Sequence, residues 1–150
     1  MPAILRLERL GFTAAEAGSA DQYRDRIAKL TGTFLVGKQA GQVVGFVVGP
    51  AVDQPYVADW MYDRTPANLT TGGHQLIFTI AVDPAYRGAG IGSQLLDALS
   101  ARAVAAHRQS VSLTSLKRNV PFYLKNGFEN RGVADSDHAG EVWYNLVKPL

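Results

Sequence analysis

The sequence predicts an α/β fold of the α+β kind, a mixed sheet of six to seven strands flanked by about four helices. Three observations carry this. Two apolar runs, Phe34-Leu35-Val36 and Val43 to Val48, face each other across Gln39-Ala40-Gly41 as a hairpin, so the first half of the sheet is antiparallel. Gln75 to Val82 is a nearly continuous apolar run of the kind that is buried on both faces of a sheet. A glycine-rich loop, an amphipathic helix and a further apolar run at Ser110 to Leu116 follow it, which makes one parallel crossover.

Taken in order, the alternation of Ile4, Leu5, Leu7 and Leu10 suggests a first strand. Thr13 with Glu16 three residues later has the capping-box pattern, and two short helices fit Thr13 to Ser19 and Asp21 to Leu30. Gly49-Pro50 ends the hairpin's second strand. The long connection from Ala51 to Gly73 shows no strong strand pattern, and its aromatic content argues for order. Ile91, Leu95, Leu96, Leu99, Ala103 and Val104 mark one face of the helix after the loop. Val120 to Asn126 then reads as a short helix, and Phe128 onward and Val142 to Val147 as the last two strands.

With 150 residues the chain fits one domain, spanning 1–150, around a single core. A net charge of +2 is too small to argue for nucleic acid, even with a pI near 9.0. The absence of cysteine closes any acyl-cysteine route and any thiolate metal site. No run reaches membrane-spanning length and no basic leader precedes an apolar stretch, so a cytoplasmic protein with no membrane partner is expected.

The loop is Arg87-Gly88-Ala89-Gly90-Ile91-Gly92-Ser93, between a strand and a helix start. Helix N-termini present unpaired N–H groups and partial positive charge, and glycines that bare the backbone there make a pyrophosphate cradle. A nucleoside-triphosphate loop needs Lys after its last glycine, and Ser93-Gln94 stand there instead. A dinucleotide fingerprint needs a third glycine at Ser93 and an acidic residue about 20 positions on, where His107 and Arg108 are found.

The remaining pattern, Arg-x-x-Gly-x-Gly over Arg87 to Gly92, resembles the acyl-CoA loop of the GNAT acetyltransferase superfamily. Pro121-Phe122-Tyr123 with Gly127-Phe128 is similar to the family's second segment. Within the family, the chain is most similar to serotonin (arylalkylamine) N-acetyltransferases and their bacterial relatives, through Val44 to Pro50, Gly73-His74, the Phe122-Tyr123 segment and the tail Ser136 to Tyr144. It departs from the animal enzymes in one respect: Leu76 and Phe78 occupy the places of their paired histidines.

The resemblance implies a GNAT fold and direct attack of a primary amine on the acetyl thioester of acetyl-CoA, both bound at once, with no metal. It implies CoA contacts at Ile80, Ala81, Val82, Arg87, Gly88, Ala89, Gly90, Ile91, Gly92, Ser93, Asn119, Phe122 and Tyr123. Tyr123 would protonate the departing thiolate, since a phenol with a pKa of about 10 holds a proton that a thiol near 8.5 needs. An alkylamine near 10.4 is charged at pH 7, and its free base costs roughly 4.6 kcal/mol to populate. His74 is the first candidate for taking that proton, with His138 and Asp83 after it. Tyr56, Asp59 and Trp60 in the long connection suit a cationic amine with an aromatic body. The partner expected is a small-molecule amine, with the protein a monomer or homodimer. Two alternatives stand beside this: a protein or peptide N-acetyltransferase, and a non-catalytic acyl-CoA-binding module.

Overall fold

The computed structural model describes residues 2–11, 18–136 and 138–150. Its first element is a helix, α1 (Pro2–Gly11), where a strand was expected. Ile4, Leu7 and Glu8 form its buried face at the i, i+3, i+4 spacing, and Pro2 is tolerated at the first helical position. Four apolar residues in a short window fit both periods, and packing on the face of the later strands that carry Phe46 and Ala81 decides for the helix. The expected helix at Thr13 to Ser19 lies outside the described residues up to position 17. Ser19 itself caps the next helix, α2 (Ala20–Lys29), in a reciprocal box with Gln22.

The hairpin forms as β1 (Phe34–Gln39) and β2 (Gln42–Val48), closed by Ala40 and Gly41, both at positive φ. The long connection contributes a two-residue strand, β3 (Ala51–Val52), and one helical turn, α3 (Trp60–Asp63). The apolar run expected as one strand is two, β4 (His74–Ile77) and β5 (Thr79–Val82), parted at Phe78. After them come α4 (Ile91–Ala105), β6 (Ser110–Ser115), α5 (Val120–Lys125), β7 (Glu129–Val133) and β8 (Tyr144–Pro149). Among the described residues the eight strands make two sheets, β1-β2-β5 and β3-β4-β6-β8-β7, and only β4 and β6 pair in parallel.

The parting of β4 from β5 is matched across the ladder by the parting of β2 from β3 at Gly49-Pro50. Phe78 N–H donates to Val48 O and Leu76 N–H to Pro50 O, both at 2.8 Å, so the two breaks stay in register. Gly49 is required there because a Cβ would stand 1.9 Å from Leu76 O. The buried Gln75 side chain donates to Gly49 O and Leu76 O, both at 2.9 Å, and holds the bend.

Side chains alternate across the sheet. Phe46, Val48 and Ala81 pack with Ile4 and Leu7 of α1 and Tyr23 of α2 on one face. Val47, Ile77, Leu113 and Leu146 pack with Leu95, Leu96 and Leu99 of α4 and Tyr123 of α5 on the other. The site depends on a gap between these layers. β4 holds β6 as far as the Ile77–Leu113 pair, after which β5 turns away to β2 while β6 continues along β8.

Candidate active site

A cavity of about 920 Å³ fills this gap and runs through the sheet from one helical layer to the other. Thr79 to Val82 of β5 form one side and Leu113 to Leu116 the other. Its outer end is the loop before α4, where Gly88 and Gly90 adopt φ of 86° and 79° with open space around each Cα. The first bond of the helix runs from Gln94 N–H to Gly90 O at 3.0 Å, so the N–H groups of Ile91, Gly92 and Ser93 precede any intrahelical acceptor. Gly92 carries a tighter constraint, since a Cβ would meet the Phe122 ring at 3.0 Å. Arg87, Arg118 and Lys125 line the same end and add positive charge. Three unpaired donors, a helix dipole and these cations fit a diphosphate.

Of the sequence-proposed CoA contacts, all but Ala89 line the cavity. Tyr123 is buried, with its ring edge-on to Phe122 and Phe128 at 5.1 and 5.6 Å. Burial, with a smaller contribution from neighbouring Tyr62, pushes its phenol well above the usual tyrosine value. It therefore holds its proton throughout the neutral range.

The other proposed residues are placed differently. His74 sits at the start of β4, its Nδ1 2.7 Å from Ser110 Oγ, and does not line the cavity. The Gly73-His74 end of the strand faces away from the end where β4 and β6 separate. Asp83 is held by Arg6 at 2.8 Å and by the Ala85 N–H, which keep its carboxyl below the usual range and leave it outside the cavity. Trp60 is 50% exposed, Tyr56 is exposed, and neither reaches the cavity. Asp59 accepts from Ser136 Oγ at 2.6 Å, which ties the long connection to the segment that carries His138. Val57 and Met61 of that connection enter the core with Leu76 and Phe78.

The inner end of the cavity is a wall that sequence reasoning largely missed. Tyr62 lies stacked on His138, centroids 5.3 Å apart and planes 15° from parallel, and its hydroxyl is 3.4 Å from Thr114 Oγ1. Trp143 also lies against His138, ring centroids 5.7 Å apart, and donates its indole N–H to the His138 carbonyl at 2.9 Å. Behind Tyr62 lies Arg26, 1% exposed, with its guanidinium 4.8 Å from the Tyr23 ring centre, 5.1 Å from Phe78 and 6.0 Å from Tyr62. Glu8 completes the wall and accepts from the Tyr23 hydroxyl and from Gly18 N–H. Arg26 stands three residues after Tyr23 and four before Leu30, both fully buried, so a charge on the apolar face of α2 was the available signal. Tyr62, His138 and Trp143 come together only through the tertiary fold.

Among the described residues no group of three His, Asp or Glu side chains is placed to hold a metal ion, and no helix is long and apolar enough to cross a membrane. The acetyltransferase (GNAT) domain model matches residues 31–130. No curated protein sequence matches the chain at a significant level. Among solved structures, the GphF GNAT-like decarboxylase in complex with isobutyryl-CoA is similar at a TM-score of 0.82 and 18% identity, covering 99% of this chain and 93% of that one. Ard1 from Thermoplasma volcanium is similar at 0.74 and 24% identity, with 99% and 92% covered. Naa20 from Chaetomium thermophilum, in complex with a bisubstrate analogue, is similar at 0.70 and 25% identity, with 99% and 80% covered. The matched segment runs from just before β1 into β7 and contains the parted strands, the glycine loop, α4 and Tyr123, so the chain belongs to the GNAT acetyltransferase family.

Proposed function

We propose that the protein transfers acetyl from acetyl-CoA to a small primary amine by direct attack, with both substrates held in the one cavity. The observation that carries this is the gap between β5 and β6, open at one end to the unpaired amides of Ile91, Gly92 and Ser93 and lined at its middle by Tyr123. The amides, with Arg87, receive the diphosphate. β5 has one edge paired to β2, and its other edge is turned to the gap and offers its backbone to the pantetheine arm. A main-chain N–H on that edge polarises the thioester carbonyl.

The amine enters from the inner end, where Tyr62, Phe78, His138 and Trp143 suit an apolar or aromatic body. This lining supports the likeness to arylalkylamine enzymes, with Tyr62 in the part expected of Trp60. The amine nitrogen's lone pair forms the N–C bond as the C–S bond breaks. The sulfur keeps that electron pair and takes the proton of Tyr123, while the proton leaving nitrogen passes to His138 or to water beside it. His138 replaces His74 as the preferred base because its ring lines the cavity.

A second reading, acetylation of a peptide amine, is favoured by the likeness to Naa20 at 25% identity. Release of free thiol from acetyl-CoA with a panel of small amines and peptides, measured beside Tyr123→Phe, separates the two. Thiol release with small amines that falls sharply in the variant supports the proposal. Release with peptides alone favours the second reading, and CoA binding without release from any acceptor leaves a non-catalytic acyl-CoA module.

A further inference from the structure

Arg26 belongs to the inner wall, and the acetyl-transfer reading does not use it. Its Nε and Nη1 are buried and have no hydrogen-bond partner. Glu8 accepts from the Tyr23 hydroxyl and Gly18 N–H through its Oε1, and no hydrogen bond joins it to Nε or Nη1 of Arg26. The guanidinium is therefore gripped by the ring faces of Tyr23, Phe78 and Tyr62 but lacks an acceptor at its edge. Ring faces hold the plane of a guanidinium, while its N–H fork is complementary to a carboxylate. The side chain lines the same cavity as Tyr123, and Tyr62 stands by both residues.

We propose that Arg26 receives a carboxylate carried by a substrate beside the reacting thioester carbonyl. Two sources supply such a group: an acceptor amine that bears a carboxylate, such as an aromatic amino acid, or an acyl chain that ends in one. This deepens the acetyl-transfer reading and rests on it for the position of the reacting carbonyl. The aromatic lining accepts the body of the substrate and Arg26 selects its charge. A carboxylate-bearing substrate is then preferred over its counterpart without one, because it alone completes the buried guanidinium.

The test is calorimetric binding to the whole protein. In one arm the CoA-loaded protein is titrated with N-acetyltyrosine and N-acetyltyramine, which differ by the carboxylate alone, and in the other the free protein is titrated with malonyl-CoA and acetyl-CoA. At least tenfold tighter binding of the carboxylate-bearing member in one arm, reduced to less than threefold in Arg26→Met, is expected, and the arm identifies the source. If Arg26→Met does not fold, Arg26→Lys, which keeps charge but loses the fork, is expected to give an intermediate preference. Equal or absent binding of the members in both arms, or a preference that survives Arg26→Met, overturns the inference. Thiol release from acetyl-CoA with tyramine and tyrosine is measured alongside. Release without a preference between them removes the acceptor amine as the source, equal binding in both arms beside such release defeats the Arg26 assignment alone, and CoA binding with no release from any amine defeats the acetyl-transfer reading.

Discussion

The two ends of the cavity are built by different means. The outer end is made of backbone: two glycines at positive φ, a helix start and the free edge of β5, all from the stretch between residues 79 and 93. The inner end is made of side chains from α1, α2, the long connection and the tail, brought together by packing. The first kind of site is fixed by conformation and tolerates side-chain change wherever the backbone keeps its course. The second changes character with a single residue, and differences in substrate within one fold belong there.

The bend that creates the gap supports both ends, so breaking it gives the largest effect. Gly49→Ala places a methyl against Leu76 O, and a loss of about 3 kcal/mol in urea-unfolding stability is expected. A loss below about 1 kcal/mol would show that the bend does not need this close approach. At the meeting of the two ends, Tyr123→Phe should lower kcat about a hundredfold while leaving the calorimetric Kd for acetyl-CoA within about twofold. An equal fall in binding would make Tyr123 a packing residue only.

Gly90→Ala acts on the outer end alone. Space is open around that Cα, but φ is 79°, and a side chain there costs about 1–2 kcal/mol of strain. Acetyl-CoA should bind about tenfold more weakly, with the amine KM little changed. A change in amine KM alone would mean that the loop serves the inner end.

The smallest effect concerns the Arg6–Asp83 pair, which ties α1 to the end of β5. Hydrogen bonding to Arg6 holds the Asp83 carboxyl below its ordinary value of 3.8, so the folded state binds this proton more weakly than the unfolded chain. The pair's contribution is fully present above that ordinary value and is lost as pH falls through the lowered one. An NMR titration should place the Asp83 midpoint below 3.8, and Arg6→Gln should raise it towards that value, the Ala85 N–H keeping part of the lowering. A midpoint at or above that value in the unaltered protein contradicts the pairing.

The same contrast governs what could be read from residues alone. The hairpin, the glycine loop, the amphipathic face of α4 and the Phe122-Tyr123 segment are local patterns in which spacing encodes geometry. The parting of β4 from β5 left no such trace, because apolar residues run unbroken through Phe78 and the bend depends on Gly49 across the ladder. α1 differs from the expected strand because Leu5 and Leu7 keep a strand's spacing of two while Ile4 and Leu7 keep a helix's spacing of three. His74 drew notice as a lone histidine beside the central strand, yet the end of the strand it occupies is the one away from the gap. Arg26 and Tyr62 could not be weighed together, since 35 positions of sequence separate residues that the fold stacks at 6.0 Å.

In the proposed reaction, coenzyme threads the gap between β5 and β6. A crystal structure with acetyl-CoA tests it directly. The diphosphate oxygens should lie about 3 Å from the N–H groups of residues 88–93, with the sulfur beside the Tyr123 hydroxyl. Coenzyme bound elsewhere, or in the loop with its thioester arm turned out of the gap, would contradict the account.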